Sequence, residues 1–140
     1  MERLAISIIL ALLFGTFANA APDVVVVVST DSAMTSLSRT LLADIYLGRT
    51  HNMPDGTPIV PLDQSEASTL HGEFYEEFLD KSPAQIKAHW SKLIFTGRGR
   101  PPRSVANSEQ MAAVVAENPG AIGYVDAGQI DSRLRVVPIE

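Results

Sequence analysis

Val24-Val25-Val26-Val27-Val28, closed by Ser29-Thr30-Asp31-Ser32, is a run of five β-branched residues with no polar residue interleaved. A strand with one face in water alternates apolar and polar side chains, so an unbroken run reads as a strand covered on both faces. It is expected inside a sheet, hydrogen-bonded on both sides and, as doubly covered strands usually are, parallel to its neighbours. Left exposed, the same run would be an aggregation hazard. The hydroxyl cluster behind it falls at the strand's C-terminal end, the edge where open α/β sheets gather ligands.

Around this strand the chain alternates helical and strand patterns. Leu37, Leu41, Leu42 and Ile45 recur at helical spacing, and Gly48 stands where a C-terminal cap belongs. Pro54-Asp55-Gly56 marks a turn, and Ile59 to Leu62 is a short strand. A helix is expected from about Ser68 to Asp80, with Leu70, Phe74 and Phe78 inward and Glu73, Glu76, Glu77 and Asp80 on a wet acidic side. Ser82-Pro83-Ala84-Gln85 is a capping box that opens a third helix bearing Ile86, Trp90, Leu93 and Ile94, stopped by Gly97. Arg98 to Arg103 reads as a loop. Asn107 caps a fourth helix with Met111, Val114 and Val115 inward, ended by Asn118-Pro119-Gly120. Ala121 to Val125 and Leu134 to Val137 complete the strands. The order β-α-β-α-α-α-β-β predicts a layered α/β domain.

Met1 to Ala20 reads as a leader rather than as fold. Arg3 precedes the apolar run Leu4 to Phe17, and Ala18-Asn19-Ala20 supplies a small-x-small cleavage pattern. The run falls short of the ~20 residues a membrane-spanning helix needs. We therefore expect a signal peptide over 1–20, one domain over 21–140, a periplasmic location and no membrane span once the leader is removed. The charge of −5 argues against nucleic-acid binding, which wants a basic surface. With no cysteine, the chain carries no disulfide, thiol nucleophile or lipid attachment point, and the domain must stand on packing alone.

Catalytic signatures are missing. His51, His71 and His89 show no metal-ligand spacing and read as surface or boundary residues. There is no GxSxG, and Gly97-Arg98-Gly99 lacks the GK[ST] of a phosphate loop. No metal, no cofactor and no enzymatic activity are expected. Two features remain. Arg98, Arg100 and Arg103 crowd a proline-stiffened loop whose guanidinium forks suit oxyanions, or which is simply a solvated loop balancing the acidic helix. Ser29, Thr30 and Ser32 form one hydroxyl cluster, and Ser68 and Thr69, with Ser65, lead into the second helix. For either cluster alone capping is the plainer reading; both within one concavity would favour an anion site, and clusters on opposite sides of the domain would favour an interaction module.

Several strings resemble one family. Leu41-Leu42-Ala43-Asp44-Ile45-Tyr46-Leu47-Gly48, Pro54-Asp55-Gly56-Thr57-Pro58-Ile59, Trp90 with Phe95-Thr96-Gly97, and above all Pro119-Gly120-Ala121-Ile122-Gly123-Tyr124-Val125 are similar to the periplasmic phosphate-binding proteins of ABC transporters. The resemblance runs from Leu37 to Val125 and is nearest to short, single-lobe relatives. It implies a three-layer α/β lobe of the periplasmic-binding-protein kind with a small mixed sheet. Full-length members close two lobes on phosphate and hold it with an arginine four residues before an SGT helix start. Aligned here, the arginine position is Asp63 and the tripeptide is Ala67-Ser68-Thr69, so the resemblance implies weak phosphate binding, improved by Asp63→Arg.

Two functions compete at this point. One is a solute-binding module for a small oxyanion, using Ser29, Thr30, Ser32, Ser68 and Thr69 with Arg98, Arg100 and Arg103 in support. The other is an interaction module that has lost its ligand and docks on an envelope protein partner through the arginine loop and the acidic helix.

Overall fold

The computed structural model describes residues 23–140, and the leader expected over 1–20 lies outside them. In chain order the elements are β1 (Val24–Ser29), α1 (Arg39–Tyr46), β2 (Val60–Gln64), α2 (Thr69–Leu79), α3 (Pro83–Phe95), β3 (Arg103–Val105), α4 (Ser108–Ala116), β4 (Ala121–Asp126) and β5 (Leu134–Val136). The sheet runs β3-β2-β4-β1-β5. Helices cover both of its faces, which makes the three layers expected of a single α/β lobe.

The valine run is interior, as its pattern requires, with β4 on one side and β5 on the other. Its side chains divide between two cores. Val26 and Val28 enter the larger one, under α1, α2 and α3; Val27, with Val25 at its margin, enters the smaller one under α4. That division is why no polar residue interrupts the run.

The expected parallel orientation is wrong. β1 is antiparallel to β4, with Val24 opposite Asp126, and antiparallel to β5, with Val27 opposite Val136. The parallel strand pairs are β2 with β3 and β2 with β4. Cover on both faces is set by the helices above and below, whereas direction is set by the path of the chain, which a composition run does not encode. The order also gains a strand: the segment read as an arginine loop ends in β3, which starts at Arg103.

Local signals place the helix ends. Ser82 and Gln85 close the reciprocal capping box of α3, and Asn107 accepts from Gln110 N at the start of α4. Gly48 follows α1 with φ +73, a left-handed conformation that glycine adopts without steric cost. A Cβ there would also lie 2.7 Å from Cη2 of Trp90, so α3 packs its indole on the end of α1. Gly123 has a related role in β4, where a Cβ would lie 2.5 Å from Sδ of Met111. Its bareness lets α4 sit close on the sheet. Trp90 is buried, as its place in the apolar stripe predicts.

Candidate functional site

Because β1 opposes β4 while β2 and β4 run together, the C-terminal end of β1 lies at the edge where β2 and β4 begin. The C-terminal ends of β2, β3 and β4 form the opposite edge. Ser29, Thr30 and Ser32 therefore stand at one end of the sheet, and Ser68 and Thr69 stand at the other. The six residues of β4 separate the two ends, roughly 17 Å at the usual strand rise. The two hydroxyl clusters do not converge.

At the first edge the hydroxyls act within turns. Ser29 Oγ accepts from Asp31 N at 3.1 Å, and Ser32 Oγ accepts from Met34 N at 3.1 Å. Arg135 reaches over from β5 and donates to the carbonyls of Thr30, Ser32 and Met34, at 2.7 Å for Ser32. Thr30 is exposed. The arginine loop divides as well. Arg98 and Arg100 line an open groove beside Ile94, while Arg103, on β3, borders a separate hollow with Val60, Leu62 and Val114.

The second edge is the better built. Ser68 precedes α2 but does not cap it with its side chain; its hydroxyl donates instead to Gln64 Oε1 at 2.7 Å. Gln64 Nε2 donates to Ser108 Oγ and to the Tyr124 carbonyl, and Ser108 Oγ also accepts from Asp126 N. One buried glutamine thus ties the ends of β2 and β4 to the starts of α2 and α4. Thr69, the first residue of α2, is exposed.

Asp63 lies beneath this edge, and its role is not the one alignment with an arginine implies. Its carboxylate is buried and already engaged. Oδ2 accepts from the Tyr75 hydroxyl at 2.6 Å; Oδ1 accepts from the Tyr124 hydroxyl and from Gln64 N at 2.8 Å, with His71 Nδ1 at 3.3 Å. A carboxylate so surrounded is stabilised by its own fold rather than set against an incoming anion. A guanidinium at this position would meet hydroxyls and amides oriented to donate, so the gain expected from Asp63→Arg does not follow from the geometry.

The phenols around Asp63 belong to an aromatic core in which Phe74 stacks on Tyr124 at 4.0 Å and packs on Tyr46 at 4.7 Å. Burial, and then the charge of Asp63, raises the Tyr75 and Tyr124 hydroxyls well above the ordinary phenol range, so they remain neutral donors. Burial pulls His71 the other way. The hydrogen bond and charge of Asp63, with the Gln64 carbonyl and Glu66, outweigh it and leave His71 above its usual value.

His71 corrects the sequence reading: it is not a surface or boundary residue but is 5% exposed. The available signal was positional, since His71 follows Leu70 on a helix whose buried face also takes Phe74 and Tyr75. His89 is half-buried and bonded through Nε2 to the Leu47 carbonyl at 2.9 Å. Among the described residues no group of three or more His, Cys, Asp or Glu could hold a metal ion.

No protein-family model matches this chain, and no curated protein matches it by sequence. Its fold is nonetheless that of one lobe of the phosphate ABC transporter substrate-binding proteins. An ABC-type phosphate transport receptor from Vibrio cholerae superposes with a TM-score of 0.64 at 18% identity, covering 84% of this chain and 46% of that one. A protein from Clostridium perfringens, described as a phosphate ABC transporter substrate-binding protein and solved with bound phosphate, gives 0.65 at 16% identity, covering 84% and 45%. PstS from Borrelia burgdorferi gives 0.65 at 15%, covering 85% and 47%. The chain spans less than half the length of these solved structures.

Proposed function

We propose that this chain is an exported, periplasmic, non-enzymatic solute-binding-type module that takes phosphate or another small oxyanion weakly. The observation that carries the reading is the start of α2. It lies at the C-terminal edge of the parallel strands β2, β3 and β4, and its first turn is not capped by Ser68, whose hydroxyl is turned toward Gln64. Uncapped N–H groups at a helix start suit an anion, and Thr69 adds an exposed hydroxyl. Affinity is low because, among the described residues, no guanidinium backs that position and Asp63 is committed to the core. Losing one charge-assisted partner costs about 1.5–3 kcal/mol, which is about ten- to a hundredfold in affinity.

An amide-resolved NMR titration with inorganic phosphate tests this. The expected result is weak binding, with the Thr69 and Leu70 amides moving most. Micromolar affinity, or shifts centred on Ser29 to Ser32 or on Arg98 and Arg100, would place the site elsewhere.

Two observations favour the second reading, docking on an envelope protein: the hydroxyl clusters stand at opposite ends of the sheet, and the tip of α3 is apolar and bare. Phe95 is 92% exposed and Ile94 57%, at the tip of α3 beside Arg98 and Arg100. Large apolar side chains bared next to cations are common at interaction sites. Under this reading Phe95→Ser abolishes co-purification of a partner and leaves the phosphate titration unchanged.

A further inference from the structure

Between the end of β2, α3 and the proline loop lies a pocket of about 290 Å³, with His71, Lys87 and Glu66 at its polar side and Ile86, Trp90 and Pro101 on its apolar wall. His71 is the group that gives it chemistry. Its Nδ1 lies 3.1 Å from the Gln64 carbonyl and 3.3 Å from Asp63 Oδ1. Both are acceptors, so Nδ1 carries the hydrogen and the ring orientation is fixed. Among the described residues the hydrogen bonds of His71 run through Nδ1, and its buried side chain borders the pocket with Nε2 open to the pocket's solvent rather than sealed in the core. A buried imidazole held by a carboxylate, with its other nitrogen unclaimed, is poised to bind something.

We propose that this pocket binds a small organic carboxylate with an aromatic or branched apolar tail, its head group on His71 and Lys87 and its tail against Trp90. This goes beyond the oxyanion reading, which rests on the first turn of α2. Charge selects the ligand class. The protonated His71 and Lys87 supply two positive charges, and Asp63 and Glu66 two negative ones. Asp63 is already bonded by Tyr75, Tyr124 and the Gln64 amide. A doubly charged phosphate would face the carboxylates of Glu66 and Asp63, whereas a single carboxylate needs only two donors and leaves Ile86, Trp90 and Pro101 to its tail. The volume lies near the lower end of the range for small-molecule sites, which are mostly apolar with a few placed polar groups.

The pH dependence follows from the tautomer. Neutral His71 presents a bare lone pair at Nε2 and repels a carboxylate; the imidazolium presents a donor. The titratable groups facing it are Asp63 from β2, Glu66 from the turn before α2, Tyr75 from α2 itself and Lys87 from α3, while β3 and the proline loop border the pocket with Ser104, Pro101 and Pro102. Affinity for a carboxylate therefore falls as pH rises through the His71 transition.

Trp90 is the sole tryptophan of the chain, so its fluorescence reports on this pocket. The purified protein is titrated with phenylacetate by fluorescence and calorimetry at pH 6 and pH 8, with acetate and inorganic phosphate as companions. Phenylacetate should bind more tightly than acetate, more tightly at pH 6, and without competition from phosphate. Lys87→Met, on the exposed side of α3, should weaken it roughly tenfold, the worth of one charge-assisted bond. His71→Gln should flatten the pH dependence, provided its unfolding transition is retained. Three results would each overturn the proposal: no binding of phenylacetate at millimolar concentration, equal affinity for acetate, or an unaltered affinity in Lys87→Met. If phosphate fails to bind while phenylacetate succeeds, only the oxyanion reading falls.

Discussion

Asp63→Asn is the most informative single change in this molecule, because the buried carboxylate holds together the ends of two strands and the start of a helix. The wild-type Oδ2 accepts from Tyr75 at 2.6 Å, and Oδ1 accepts from Tyr124 and from the Gln64 amide. Asparagine keeps one acceptor oxygen and turns the other into a donor. If the oxygen stays on the Tyr124 side, the new amide faces the Tyr75 hydroxyl, which must turn its hydrogen away without an acceptor. Hydrogen bonds to a charged group contribute about 1.5–3 kcal/mol and neutral ones about 0.5–1.5, so demoting the Tyr124 bond and losing the Tyr75 bond costs about 3 kcal/mol. The orphaned phenol adds about 1 kcal/mol. Removing a buried charge returns part of its desolvation cost, which leaves a net loss of about 2–3 kcal/mol. Urea unfolding followed through Trp90 should show a midpoint lowered by about 1–2 M at an ordinary slope. Tyr75→Phe should cost less in the Asp63→Asn background than in the wild type, by about 1 kcal/mol of coupling. A loss under about 1 kcal/mol, or strictly additive effects, would refute the reading of Asp63 as a structural acceptor.

The remaining expectations concern the same core. Since His71 titrates above its unfolded value, its stabilisation is complete below about pH 6.5 and is lost as pH rises through the folded value. Unfolding midpoints should fall from pH 6 to pH 8, and a fall of the same size in His71→Gln would count against the His71–Asp63 pair as its source. Gly48→Ala combines a left-handed backbone with a Cβ 2.7 Å from the Trp90 ring and should cost about 2–3 kcal/mol; a calorimetric loss under about 0.5 kcal/mol would show that the indole moves aside freely. Trp90→Ala, which empties a site in the larger core, should cost about 3–5 kcal/mol by thermal circular dichroism. A cost near about 1 kcal/mol would mean the ring is not part of that core.

What the sequence discloses is periodicity. The valine run, the capping box at Ser82 and the stripe through Ile86 and Trp90 are local patterns, and each appears where its pattern puts it. Direction and convergence are not local. The antiparallel setting of β1 depends on residues near position 126, and it alone carries Ser29 away from Ser68. The short β3 gives too few residues for an alternation to register. The Asp63 cluster joins positions 63, 71, 75 and 124 through side chains that look unremarkable in isolation. A buried acid is recognisable only once its donors have been brought to it by the fold.

The placement of β1 has a kinetic consequence. Both strands that flank it come after the other strands of the sheet: β4 begins at Ala121 and β5 ends at Val136. While the chain emerges from the ribosome, five consecutive valines have no native partner until residues 121–136 have followed. Long-range pairing of this kind is slow to form, and an unpaired β-branched run is prone to self-association. The segment after β5 then fastens the product, for the Leu37 amide donates to Pro138, that of Arg39 to Glu140, and that of Glu140 back to Leu37. A nascent or unfolded chain therefore needs shielding at residues 24–28, and removing residues 134–140 would reopen that strand's edge to a second chain.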